Sequence, residues 1–243
     1  NNPKPGEISV VNNWGVTVSW PEGQPGAFPN HAADLIVCPD VENWKATVKA
    51  PELVYPESEW DEAIAEFETI DRKEQYACPF VAPGIFEQCH YLMEVSNCLM
   101  AFYESPDEMH ELIKYITDWN LQVADVICDH LHPDGLLQHD DWGTQISTFM
   151  SPDMFEEFFL EPYKLLYGHW KERGVECIVH HSDSYAETLV PYMIEMGIDV
   201  WQGVMRTNDI KGMIEKYGDK ITFMGGVDSA TVDYEGWTEE NIR

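Results

Sequence analysis

Strand-like and helix-like segments alternate regularly through the second half of the chain. The β-rich apolar runs "VECIVHH", "IDVWQGV" and "ITFMGGVDS" are separated by the helical patterns "AETLVPYMIEMG" and "NDIKGMIEKYG". Parallel strands cannot be joined by a tight turn. They need a crossover, and a helix is the compact one, so this alternation predicts a parallel α/β sheet. Gly197 and Gly218 stand where the two helices should stop, and Asn208 stands where the second should be capped.

The first half is read by the same rules. "ISVVNNWGVTVSW" predicts a hairpin turning at Asn12–Gly15, followed by a Pro/Gly-rich loop, and this hairpin and loop segment fills about residues 1–50. A helix is expected from Ser58, with Asp61 completing its cap and Trp60, Ile64, Phe67 and Ile70 on one face. "YACPFVAPG" reads as a short strand. Ser105-Pro106, with Glu108, opens the clearest helix, whose face runs through Met109, Leu112, Ile113, Ile116, Asn120, Val123 and Ile127. "GLLQH" is a further strand, and Ser151-Pro152 begins a helix that runs to about Arg173-Gly174.

Two α/β architectures compete. A dinucleotide-binding sheet needs G-x-G-x-x-G after a strand, and the sequence has neither that motif nor a P-loop. A (β/α)8 barrel, the TIM barrel, needs no glycine fingerprint and carries its chemistry at the C-terminal ends of its strands. Here ionisable and polar residues collect there: His139-Asp140-Asp141, His180-His181-Ser182-Asp183, Gln202 and Asp228. The expectation is one barrel domain over residues 1–243 with about five of eight strands visible. Asn1 is not an initiating Met and the last residues read as a helix opening, so further chain is expected at both ends.

Composition narrows the function. The balance of 14 basic against 44 acidic residues, net −30, leaves no basic patch for nucleic acid or an anionic membrane. With four arginines (Arg72, Arg173, Arg206, Arg243), a polyanionic substrate would find few partners. No apolar run of about 18 residues is present, so no membrane span is expected. Six scattered cysteines without a CxxC pair read as reduced and mostly buried, Cys177 among them, in a cytoplasmic protein.

The candidate chemistry lies at two strand ends. Side chains alternate along a strand, so His180 and His181 should point to opposite faces, while His181 and Asp183 share one. That pair can bind a metal, can act as an acid and base, or can be a histidine merely oriented by a carboxylate. Of the adjacent Asp140 and Asp141, only one should reach the mouth, and Asp141 can instead cap the turn. His139 and Gln145 offer hydrogen bonds to a neutral polar substrate, and Gln202 lies at the next strand end. Asp228 follows Gly225-Gly226 and is either a ligand contact or a helix N-cap. His90, His110 and His169 fall within helices and read as ordinary core or surface residues.

In order and spacing, "DDWGTQISTFMSPDMFEEFFLEPY", "HHSDSYAETLVPYMIEMGIDVW" and "ITFMGGVDS" resemble the uroporphyrinogen decarboxylase superfamily. "WPEGQPGAFP" and "FEQCHYLMEVSNCLMAFYESPDEMHELI" resemble it more loosely. The resemblance implies a (β/α)8 barrel and one of two activities. One is decarboxylation of a porphyrinogen with eight carboxylates, whose enzymes carry an arginine-rich N-terminal segment that this chain lacks. The other is methyl transfer from a small methylated or methoxylated compound to the corrinoid (cobalamin) of a partner protein, and "DDWGTQ" with "MSPDMFEEFF" is more similar to these members. Many of them bind zinc through His-x-Cys and a later Cys. His181 matches that histidine, but Asp183 stands in the cysteine's place.

The expected function is therefore corrinoid-dependent methyl transfer. His181 and Asp183 would act at the leaving group or a metal, with Asp141 beside them. Asp140, His139, Gln145 and Gln202 would position substrate, and Asp228 would support the mouth. The alternatives are porphyrinogen decarboxylation and a non-catalytic barrel that binds a corrinoid or another small molecule.

Overall fold

The structure, a computed structural model, describes residues 3–24, 26–227, 232 and 236–242. The predicted hairpin is present as β1 (Val10–Val11) and β2 (Thr17–Ser19), extended antiparallel by β3 (Phe28–Pro29). Its turn is held by Asn12, whose side chain accepts from the backbone N–H groups of Trp14 and Val16. This small sheet does not stand alone. Trp14 is buried and meets Trp119 edge-on at 5.1 Å between ring centroids, which docks the hairpin on a long helix of the main body.

Two helices follow, α1 (Trp44–Thr47) and α2 (Glu57–Glu68). The main body opens with the strand β4 (Phe80–Val81) and the helices α3 (Ile85–Met93), α4 (Val95–Glu104) and α5 (Pro106–Leu131). Then come β5 (Gly135–His139), α6 (Pro152–Phe155), α7 (Glu161–Glu172) and β6 (Cys177–His181). The series ends with α8 (Val190–Met196), β7 (Val200–Val204), α9 (Ile210–Tyr217) and β8 (Thr222–Gly225). Strands β4 to β8 form one sheet, all parallel, with spatial order equal to sequence order. An order that never reverses keeps every right-handed crossover on the same face, which winds the sheet into a barrel wall. A doubly wound sheet would need a reversal. The fold is of the (β/α)8-barrel type, and the described residues supply five of its parallel strands.

Sequence and structure differ at several caps. Ser58 lies inside α2, whose N-cap is Pro56, and none of the residues of α2 is buried. Ser105 does occupy the N-cap of α5, but its side chain makes no capping bond. Ser151 caps as expected, accepting from Met154 N–H at 3.2 Å. The cap of α9 is Asp209, which accepts from Gly212 N–H. Asn208 instead accepts from Ala186 and Glu187 and so pins the loop after β6. Between α6 and α7 the helix widens to a π turn over Glu156–Leu160. Pro162 has no N–H to offer the carbonyl four residues earlier, and a local π turn relieves that break. The core is one cluster, with Trp142, Trp170, Trp201, Tyr163, Tyr167 and four Phe side chains fully buried between sheet and helices. The cysteines are free. Four are buried, Cys78 is exposed, and Cys177 is half-buried at the start of β6 rather than mid-strand in the core. No helix among the described residues is long and apolar enough to cross a membrane.

Candidate functional site at the strand ends

The parallel register decides which residues can meet. His139 pairs with His181 and His181 with Gln202, one row across β5, β6 and β7. The row before it is Gln138, His180 and Trp201, all fully buried. Because the side-chain period is two, the His180 row faces the helices and the His181 row faces the cleft. The expected opposition of the two histidines is what the structure has.

His180 is a strut. Its Nε2 lies 3.1 Å from the Asp140 carbonyl, which can only accept, so Nε2 carries the proton. Burial drives its pKa well below the ordinary value, so the ring is neutral, and Nδ1 accepts from Tyr167 O–H at 2.7 Å. Trp142 stacks on it at 3.9 Å between centroids.

The two adjacent carboxylates part company, and the substrate-binding role expected of Asp140 is wrong. Asp140 is fully buried and turned away from the cleft. Its oxygens accept from Phe86 N–H at 2.9 Å and Glu87 N–H at 2.8 Å, so it caps α3 from a loop more than 50 residues away in sequence. The Tyr163 hydroxyl oxygen accepts from Ile85 N–H, which completes the first turn. Gly84 is required here, because a Cβ at that position would collide with the Asp140 carboxyl. Burial, then the charge of Glu87, raises the Asp140 pKa well above normal, against the pull of the two N–H groups.

Asp141 faces the cleft, and one oxygen accepts from Asp183 N–H at 3.0 Å. His139 and His181 lie beside it with rings stacked 4.5 Å apart. One ligand atom from each of these three residues falls within 4.8 Å of the other two. His139 Nδ1 sits 2.8 Å from Glu87 Oε2, and the Glu87 side chain is only 8% exposed. His181 Nδ1 donates to Gln202 Oε1. Burial alone would lower the His139 pKa. The hydrogen bond and charge of Glu87, joined by Asp141 and Asp140, outweigh it and raise the value to about 9. Burial, then the negative Glu87 and Asp183, raises Asp141 to about 7, opposed by His139 and by the Asp183 N–H.

These groups form the floor of a cleft of about 880 Å³. Its walls come from β3 and the adjoining loop (Gly26–Pro29), His31, His90, Tyr91, Val95, Gly143, Phe149 and Asp183. Asp183 lines the same cleft as His181 but stands outside the three-residue cluster, and the Nδ1 of His181 bonds Gln202 rather than Asp183. Gln145 is exposed in the turn after Trp142 and does not line the cleft, contrary to expectation. Gln202 reaches His181 rather than open space. Asp228 lies outside the described residues.

Glu87 and His90, which also line the cleft, carry no motif that marks them as site residues in the sequence. Their only signal is that "PGIFEQCH" opens a helix directly after a strand end. Burial lowers the His90 pKa to about 4, with His31 adding to the effect.

The uroporphyrinogen decarboxylase (URO-D) family model matches residues 10–241. The chain belongs to the uroporphyrinogen decarboxylase family. Seventeen chains of solved structures match this URO-D fold. One is a methyltransferase from Methanosarcina mazei, with a TM-score of 0.65 and 14% identity, matched over 93% of this chain and 63% of that one. The chain therefore spans under two thirds of that structure's length, and the likeness is one of fold. No curated protein matches the sequence.

Proposed function

We propose that this URO-D family member is a corrinoid-dependent methyltransferase, moving a methyl group from a small methoxylated or methylated compound to the corrinoid of a partner protein. The observation that carries this choice is the cleft lining. It contains Glu87, Asp141 and Asp183 and, among the described residues, no Lys or Arg. A substrate with eight carboxylates would meet three carboxyl side chains and neither a guanidinium nor an ammonium group, with His139 as the one imidazole held protonated at neutral pH. A small neutral or cationic donor meets neither problem, and the cleft volume lies in the range of small-molecule sites.

When docked, the partner's reduced corrinoid supplies the nucleophile that takes the methyl group. The chain's own residues do the rest, which is to position the donor and stabilise what leaves. Phe28, Tyr91 and Phe149 wall the cleft, Asp183 stands at the rim, and His139, Asp141 and His181 lie at the floor where a departing alkoxide or phenoxide needs stabilising. The thiol-activating zinc site that the resemblance implies does not fit these residues. Asp183 has the place of the cysteine and stands outside the ligand cluster.

The test mixes the protein with a reduced corrinoid protein and a panel of methoxylated aromatics and methylamines. Conversion of the corrinoid absorption to its methylated form, only with this protein present, is the expected result. Products with fewer carboxylates from uroporphyrinogen would overturn it in favour of decarboxylation. Failure with every donor would favour the non-catalytic barrel.

A further inference from the structure

The cluster at the cleft floor is organised as metal sites are organised. His139, Asp141 and His181 come from the ends of two adjacent strands, and each offers a ligand atom within 4.8 Å of the others. Both histidines have Nδ1 committed to an acceptor: Glu87 Oε2 for His139 and Gln202 Oε1 for His181. That fixes each ring and leaves Nε2 as the nitrogen turned to an incoming ion, which displaces the second proton that Glu87 helps His139 to hold. No hydrogen bond to either Nε2 is found among the described residues. Metal-bound histidines are held in this way, one nitrogen on the ion and the other N–H on a carboxylate or carbonyl oxygen. The third donor, Asp141, is itself oriented by Asp183 N–H. So all three donors are buttressed before any ion arrives.

We propose that His139, Asp141 and His181 together bind one divalent transition-metal ion at the floor of the cleft. Two imidazoles and one carboxylate suit Zn²⁺ and its first-row neighbours and disfavour Mg²⁺, which prefers oxygen ligands. Three protein ligands leave a coordination position open toward the cleft, the arrangement of catalytic rather than structural sites. Ligands on one tetrahedral ion with bonds of about 2.0–2.2 Å lie roughly 3.4 Å apart, so atoms now within 4.8 Å of one another must close by at most about 1.4 Å, within reach of side-chain rotation. The donor set contains no thiolate. An ion held here would offer its open position to a substrate oxygen, in contrast to the His-x-Cys zinc site that the resemblance implies. The inference rests on the cluster geometry and does not require the methyl-transfer reading.

The experiment strips the full chain with a chelator and titrates it with Zn²⁺ by calorimetry and with Co²⁺ by visible absorption. The expected result is one ion per chain, unaffected by millimolar Mg²⁺, with a Co²⁺ spectrum of low coordination number. Asp141→Asn and His139→Ala should each weaken Zn²⁺ binding at least 100-fold, and Glu87→Gln and Gln202→Ala about 10–100-fold, as second-layer partners do. Asp183→Asn should leave the affinity within threefold. Circular dichroism confirms folding, and the isosteric Asp141→Asn decides the matter if the histidine variants do not fold. Failure of the wild-type chain to take up Zn²⁺ or Co²⁺ would overturn the proposal. So would an Asp141→Asn variant that binds as tightly as wild type, or a loss with Asp183→Asn equal to that with Asp141→Asn. Stoichiometric metal without methyl transfer would sink the functional reading and leave this one standing. Methyl transfer by a chain that binds no metal would do the reverse.

Discussion

Replacing Asp140 by alanine should unfold the protein more readily while leaving the cleft's ligand groups in place. Asp140 is fully buried and accepts two backbone N–H groups, from Phe86 and Glu87, at the first turn of α3. Alanine leaves both donors inside the protein without partners. Each buried unsatisfied donor costs about 1–3 kcal/mol, so the expected loss is about 2–6 kcal/mol. That is a large share of the roughly 5–15 kcal/mol that holds a typical domain together. With a urea m-value of about 3 kcal/mol/M, the midpoint should fall by about 0.7–2 M at unchanged slope. Asp140→Asn keeps one acceptor oxygen but sets an amide against the second N–H, so its loss should be intermediate. Gly84→Ala should act on the same contact, because its Cβ would collide with the Asp140 carboxyl. The two losses should therefore fall short of additive in the double variant. An Asp140→Ala variant that unfolds like wild type, or that changes ligand affinity with no change in stability, would contradict this role for Asp140.

His90 should make the fold acid-sensitive. Its pKa is held near 4 in the folded chain, mainly by burial. Between that value and the unfolded value of about 6.5 the unfolded chain binds the extra proton, so stability falls as pH falls through this window, by about 3 kcal/mol in full. Urea midpoints at pH 4.5, 5.5 and 6.5 should show a shallower acid loss in His90→Gln, and an unchanged slope would contradict the assignment. Gly203 takes φ +88° at the bulge in β7, where a Cβ would lie 3.1 Å from His181 Cε1. Gly203→Ala should cost about 1–2 kcal/mol in backbone strain and also turn the His181 ring. Methyl transfer should then fall more than the shift in unfolding midpoint explains, and equal rates in the two proteins would count against the site. Arg72 donates to the carbonyls of His132 and Leu131 at the end of α5 and pairs with Asp134 at 3.1 Å. Arg72→Ala should lower stability by about 1–3 kcal/mol without altering metal or donor binding, as calorimetry on the variant would show.

The strand–helix alternation is written in the sequence because strand and helix periods are local. Runs such as "CIVHH" and "VWQGV" sit where they were read, and the opposed directions of His180 and His181 follow from a period of two. Ser151 and Gly197 punctuate helices as their own chemistry dictates. What the sequence could not decide is which of two adjacent carboxylates serves the cleft. Asp140 and Asp141 are chemically alike, and the choice is made by α3, whose first N–H groups arrive from more than 50 residues away and claim Asp140. The same long reach brings Glu87 to His139 and parallel register sets His181 beside it. It also places Asp141, in the loop after the neighbouring strand, in the cluster, while Asp183, two residues from His181, stands outside it. Spacing along a chain fixes the direction of a side chain, and only the register between strands fixes its neighbours, so the ligand set had to wait for the tertiary structure.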